Sequence, residues 1–397
     1  MGMGHLRRNV LIAEQLLAKG VVSEVLFISG SHEASILSGQ EGIDHLTIPG
    51  VRRQDDDSYA PRSLGMGTKQ LMKLRSETIA AALDHFAPDL LIVDKKPRGV
   101  LHELDPALRL LKQRGNTKIV LGLRDILDAP DELSREWDTG GYGDHVKRYF
   151  DAVWVYGDPG IYDLATESGL PAQVTERFQF TGYLDQQIRL TEEDHARPAL
   201  LAECGVDDDP FILCMVGGGE DGTLLADNFV RADLPSGRHG ILVTGPFMPA
   251  EDSARFHALA AGRKDLHVFD FVKEPTMLIQ AAERIICMAG YGSATEVVSL
   301  EKPGLLVPRT EPRIEQLIRA LRFAERDLVD FLPPDALSPA HLTAWMASEL
   351  NPGKNARKRI DLGGLERIPQ LANELLADRA ATPGPVARKA TPVTSPA

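Results

Sequence analysis

Residues Arg284–Ala320, RIICMAGYGSATEVVSLEKPGLLVPRTEPRIEQLIRA, leave the chain few folds to choose from. The run Ile285–Ala289 is apolar throughout and reads as a strand buried on both faces. It breaks at Gly290-Tyr291-Gly292, and a helix is expected to follow, with Ser293 as N-cap and Glu296 completing a capping box. The helix should end near Glu301, where Lys302-Pro303-Gly304 turns the chain into a second strand, Leu305–Pro308. Glu315-Gln316 then opens another helix. A strand, a glycine turn and a helix N-terminus together offer free backbone N–H groups and a positive dipole end to a phosphate.

The same rhythm runs through the chain. Leu6–Lys19 reads as a helix with Val10, Leu11, Ala13, Leu16 and Leu17 on one face. Strands are expected at Val21–Ser29, Ile43–Val51, Asp89–Asp94, Lys118–Leu123, Ala152–Tyr156 and Phe178–Gly182. Thr68–Phe86 and Leu101–Arg114 read as helices, and Arg52–Gly67, acidic at Asp55-Asp56-Asp57, as a mobile loop near a cleft. Leu190–Asp209 is charged and irregular, and the pattern restarts with the strand Phe211–Val216 and the turn Gly217-Gly218-Gly219. Strands follow at Ile241–Thr244 and Leu266–Phe271, and helices at Thr276–Ala282 and Leu317–Leu328.

Alternation of this kind predicts an α/β fold of two doubly wound, Rossmann-like domains facing a cleft. The expected division is 1–189, 190–379 and a disordered tail, 380–397, rich in Pro, Ala and Thr. One element is out of place. A glycine turn, Gly2-x-Gly4-His5, runs directly into the first helix, whereas a doubly wound sheet carries that turn on a preceding strand. The first N-terminal strand is therefore expected to be missing, and Met1 or Met3 to be internal to a longer natural chain.

A chain of 397 residues with 25% charged residues is large enough for two cores. Its net charge of −13 argues against nucleic acid as a partner, since no basic excess exists to neutralise phosphates. Cys204, Cys214 and Cys287 are odd in number and widely spaced, which suits free buried thiols in a reducing compartment and a cytoplasmic protein. No apolar run reaches membrane-spanning length, while peripheral contact with a membrane surface stays open.

Several residues carry chemistry, each with a plainer alternative. Gly217, Gly218 and Gly219 can bring backbone amides onto a diphosphate or form a simple tight turn; Glu220-Asp221 behind them would repel such a group unless turned away. Gly292, Ser293 and Thr295 can contact phosphate, or Ser293 can simply cap the helix. His5 can act as a general base toward a hydroxyl or water, or hang loose near the chain start. Arg8 can bind a phosphate or support His5. Asp94 ends a strand on the ligand-binding side of the sheet, and it and Asp125 are candidate catalytic acids or caps of the next element. Lys95-Lys96 and Arg98 can form a basic patch for an anionic acceptor or remain solvated.

Gly292, Ser293, Thr295 and Glu296, then Gly304 and Pro308, then Glu315, Gln316 and Ala320 together resemble the nucleotide-sugar signature of GT-B glycosyltransferases. The nearest likeness is to the family 28 C-terminal domain, as in the lipid II-forming N-acetylglucosaminyltransferases. Tyr291 stands where that family often has His, and Glu315-Gln316 where it often has Asp-Gln. Gly4, His5 and Arg8 are similar to the first loop of family 28 enzymes and of GT-B nucleotide-sugar hydrolases.

The resemblance implies hexosyl transfer from a nucleotide sugar, a UDP-sugar above all, to a lipid-linked or small-molecule acceptor, with no cofactor and no metal. It implies Glu296 on the ribose hydroxyls, and Glu315 and Gln316 on the donor sugar. A nucleotide-sugar hydrolase and a non-catalytic nucleotide-sugar-binding protein are the alternatives.

Overall fold

A computed structural model describes residues 3–31, 41–54, 58–190, 197–206, 209–272, 275–349 and 355–381. Gly2, the acidic run Asp55-Asp56-Asp57 and residues 382–397 of the expected tail lie outside the described residues.

The first half opens with helix α1 (Met3–Ala18). Strand β1 (Val25–Ser29) then pairs in parallel with β2 (Ile43–Thr47), with Val25 opposite Ile43. A short antiparallel hairpin, β3 (Val51–Arg53) and β4 (Tyr59–Pro61), follows. It occupies part of the stretch expected as loop, so Arg52–Gly67 is not irregular throughout. Helix α2 (Thr68–Phe86) begins and ends where its sequence predicts. Leu71, Arg75, Ile79 and Leu83, spaced four apart, form its buried stripe, and Ala87 closes it in the left-handed region.

Four parallel strands, β5 (Leu90–Asp94), β6 (Lys118–Arg124), β7 (Ala152–Tyr156) and β8 (Phe178–Phe180), make a separate sheet in that order. The parallel pairing of this half thus falls into two sheets, β2-β1 and β5-β6-β7-β8, and the strand expected ahead of Gly4 is not among the described residues. The helix expected from Leu101 begins only at Asp105, because a single 3₁₀ turn, Val100–His102, precedes it with Leu101 at positive φ.

The second half is one six-stranded parallel sheet, ordered β11-β10-β9-β12-β13-β14. Its strands are β9 (Phe211–Met215), β10 (His239–Val243), β11 (Leu266–Phe269), β12 (Arg284–Cys287), β13 (Gly304–Leu306) and β14 (Asp330–Phe331). All five residues of β9 and all four of β12 are buried, as their continuous apolar runs require when helices cover both faces. Sequence order reverses between β9 and β12, and the carboxyl ends of two such strands open a crevice. Helix α3 (Tyr291–Ser299) starts there, directly after β12, and α4 (Glu315–Glu325) lies further on.

The chain does not stay in the second half. Helix α5 (Gly364–Ala381) packs against α1 and β6 of the first half, and Leu184 bridges to Gly363 at its start. Cys204, Cys214 and Cys287 are free and buried, as expected. Among the described residues no helix is long and apolar enough to cross a membrane.

Candidate functional site

Between the two halves lies a cleft of about 320 Å³, bounded by the carboxyl ends of β9 and β12, the starts of α1 and α3, and Gln316 of α4. The volume lies at the lower end of the range that small-molecule sites span.

Its floor is made of glycine. Gly217 and Gly219 sit at φ +67° and +95°, and a Cβ on Gly219 would lie 2.4 Å from the Thr244 carbonyl oxygen. Only glycine fits that turn. Gly292 is different: its φ is unexceptional and nothing lies within 4 Å of where a Cβ would stand. Local geometry does not call for glycine at 292; the side it keeps bare faces the cleft. Helix α3 begins at Tyr291 with Gly290 as N-cap and no side-chain cap. The expected capping box therefore does not form. Ser293 lies inside the first turn and lines the cleft, where the first N–H groups of the helix lack intrahelical partners.

The acids behind the turn are partly neutralised. Asp221 and Glu315 each stand 2.9 Å from Arg309, a cleft residue, so Asp221 does not present a free charge to an incoming anion.

Freed from capping, Glu296 reaches the cleft. Its Oε1 accepts from the Thr276 hydroxyl at 3.3 Å and lies 3.3 Å from an Arg7 nitrogen, which leaves Oε2 as the open acceptor. Gln316 also lines the cleft; its Oε1 accepts weakly from the Arg309 amide at 3.4 Å, leaving the amide NH₂ free to donate. Glu315 does not line it, because its carboxylate is buried against Arg309. Thr295 does not either: its buried hydroxyl donates back to the Tyr291 carbonyl at 2.7 Å, so a direct phosphate contact is ruled out by its own bond.

On the facing wall the first turn of α1 meets the end of β5. His5 Nδ1 lies 2.8 Å from Asp94 Oδ2, and Arg8 donates to Asp94 Oδ1 at 2.6 Å. Asn9 adds a third donor at 3.1 Å. Arg8, Asp94 and Asn9 thus form one network behind His5. Arg8 and His5 hold Asp94 far below the usual carboxylate range against the cost of burial. With Asp94 ionised, His5 Nδ1 carries the proton and donates it, since a charge-assisted bond outweighs acceptance from Arg8 at 3.1 Å. Nε2 keeps its lone pair. Burial first, then the charges of Arg8 and Arg124, lower the His5 pKa to about 4 despite Asp94, so the ring is neutral near pH 7. Gly4 lies beside it in the cleft. The Arg8 guanidinium is wedged between the rings of Tyr156 and Tyr291, 5.5 and 5.4 Å from their centroids. It serves Asp94 and His5 while also lining the cleft.

Asp125 has another task. It is 1% exposed and outside the cleft lining, and both its oxygens are held by Arg319 while Tyr183 donates to Oδ2 at 2.9 Å. That bonding removes it from the catalytic candidates and makes it a strut between the halves. In the basic patch, Arg98 is spent on Asp105 and the Gly140 carbonyl, and Lys96 on Glu136 at 3.4 Å. Arg7, Arg124, Arg309 and Phe247 line the cleft without having been singled out from the sequence. Arg124 alone carried a readable sign, a cation closing a buried strand at its ligand-binding end.

Two parallel α/β halves facing one cleft, with the cleft at the switch point of the second half's sheet, form a GT-B fold. Residues 230–363 match the Glycosyltransferase family 28 C-terminal domain. Over the whole chain, the structure is similar to MurG of Acinetobacter baumannii, with TM-score 0.56 and 15% identity, covering 94% of this chain and 97% of that one. It is similar to the calicheamicin glycosyltransferase CalG4, with TM-score 0.52 and 16% identity, covering 96% of each chain. It is also similar to the UDP-GlcNAc 2-epimerase of Neisseria meningitidis bound to UDP-GlcNAc, with TM-score 0.61 and 12% identity, covering 94% and 97%. No curated protein sequence matches the chain. The structural likenesses show the GT-B fold, and the match of residues 230–363 to the Glycosyltransferase family 28 C-terminal domain supports glycosyl transfer as the activity class.

Proposed function

We propose that the protein transfers a hexosyl group from a UDP-sugar to an acceptor hydroxyl. The donor occupies the second half, taken as 190–379, and the acceptor approaches from the first, 1–189. The observation that carries this reading is the position of His5, neutral and backed by Asp94, across the cleft from the start of α3.

The diphosphate lies against Gly217–Gly219 and the first turn of α3, where Gly292 leaves room for it and Ser293 donates. Glu296 Oε2 accepts from the ribose hydroxyls, and the Gln316 amide donates to the sugar. The acceptor oxygen attacks the anomeric carbon while His5 Nε2 takes its proton. The bond to the diphosphate oxygen breaks, and the charge that develops on the leaving group falls on preorganised N–H donors. The three free thiols support a cytoplasmic setting.

UDP release from a panel of UDP-hexoses, with and without candidate acceptors, tests the reading. Release that depends on an acceptor is expected. Release at the same rate without one means that water is the nucleophile and the protein a hydrolase. Tight binding with no release in any mixture means that it only binds nucleotide sugars.

A further inference from the structure

Four cations line the cleft: Arg7, Arg8, Arg124 and Arg309. Three have acids. Arg7 lies by Glu296, Arg8 by Asp94, and Arg309 between Asp221 and Glu315. Arg124 has none. Its Nε is buried without a hydrogen-bond partner, and no other described residue forms an ion pair or hydrogen bond with its guanidinium. Burial and the nearby charges of Arg319 and Arg8 lower its pKa to about 10 against the opposing charges of Glu315 and Asp125, a level at which it still carries its charge near pH 7.

The neighbouring strand supplies a second cation with no partner in contact, set outside the cleft lining. Lys95 follows Asp94 at the end of β5, its amide donates to the Gly122 carbonyl of β6, and its ammonium has no partner among the described residues. Burial, then Arg124 and Arg313, lower its pKa to about 7, with only Glu136 acting against them. Glu136 is already shared by Lys96 and Arg313. A guanidinium with no acid in contact, whose burial Glu315 and Asp125 offset only in part, costs stability. A ligand that brings an anion offsets the rest.

We propose that Arg124, reinforced by Lys95, is the seat for a phosphate or carboxylate group of the acceptor. The proposal rests on the UDP-sugar reading above, in which the diphosphate lies on the second half. Arg124 comes from the first half, on the strand next to the one that ends in Asp94, and its charge reaches His5. An anion held there places its carrier beside the base. A bidentate guanidinium suits the planar or tetrahedral oxygens of either group.

Calorimetric titration of inorganic phosphate into the UDP-saturated protein at pH 7 tests the seat. The wild type should bind phosphate alongside UDP. Arg124→Gln should weaken that binding at least tenfold and change UDP affinity less than threefold, while Arg124→Lys retains part of it. Phosphate binding unchanged in Arg124→Gln, or absent alongside UDP, overturns the proposal. A tenfold loss of UDP affinity in Arg124→Gln also overturns it, by assigning Arg124 to the donor diphosphate. Should the wild type not bind UDP, the donor reading fails by itself. Phosphate titration of the unliganded protein then decides on the seat: a tenfold loss in Arg124→Gln upholds it and no loss overturns it.

Discussion

Arg319 and Asp125 join the two halves of the chain through a bidentate pair in which neither side chain is exposed. Arg319 Nη2 lies 2.5 Å from Asp125 Oδ1 and Nε 2.9 Å from Oδ2. Tyr183 donates to the same carboxylate, and Arg319 Nη1 donates to the Ala289 carbonyl at the end of the run that leads into α3. Every polar atom at this junction has a partner, so the pair fixes the position of α3 and α4 against β6 without strain on either charge.

Breaking that pair should cost far more than replacing it. Arg319→Met alone leaves a buried carboxylate and should lower stability by about 3–5 kcal/mol. The double variant Asp125→Leu/Arg319→Met should lose clearly less than the sum of the two single changes. Urea melts of all four proteins give the coupling, and additive losses would mean that the pair does not act as a unit.

Arg124 should behave in the opposite way. Arg124→Met removes a half-buried charge that has no acid in contact among the described residues and should raise stability by about 1 kcal/mol, a Tm increase of roughly 2–4 °C for a protein of this size. A lower Tm by differential scanning calorimetry would mean that the guanidinium has a structural partner after all.

These two arginines mark the limit of what the sequence conveys. Thr68–Phe86 and Ala152–Tyr156 are legible to the residue, because a stripe spaced by four, apolar but for Arg75, and an unbroken apolar run each have one local solution. The glycine cradle is legible because it follows a strand, and Glu296 because it lies in the helix that follows β12. The partners are not. Asp125 looks like a strand-end acid until Arg319, 194 residues away, closes on it. Arg124 looks like any other strand-end cation until its neighbours prove to be taken. The start of α3 is not legible because Ser and Glu three apart match a capping box, whereas the N-cap is Gly290, three residues before Ser293.

Gly292→Ala separates folding from binding. The site has room for a methyl group, and alanine within a helix is favoured over glycine by up to about 1 kcal/mol, so the melting temperature should hold or rise. A methyl there occupies the space assigned to phosphate, so nucleotide affinity should fall about tenfold or more, a cost of about 1.4 kcal/mol. Thermal melts alongside UDP calorimetry check both halves of the statement; unchanged affinity would place the diphosphate elsewhere.

His5→Gln should lower kcat by about 10²–10⁴ with UDP affinity unchanged. The pH profile carries a sign. His5 has a folded pKa of about 4, below its ordinary 6.5, so between those values the unfolded chain takes the proton and the folded one does not. Its burial therefore costs stability as pH falls through that window, while the folded enzyme keeps a neutral base. Activity should stay level as pH falls through 6.5. An acid limb centred near 6.5 in a pH–rate profile would contradict a buried, Asp94-backed base.

Calorimetry of UDP binding to the wild type and to Glu296→Ala bears most directly on the nucleotide-sugar assignment. The account predicts that the wild type binds UDP and that the variant, still folded, binds it at least about 1.5 kcal/mol more weakly, the scale of hydrogen bonds to a charged acceptor. Equal affinities, or no binding of UDP by the wild type, would contradict it.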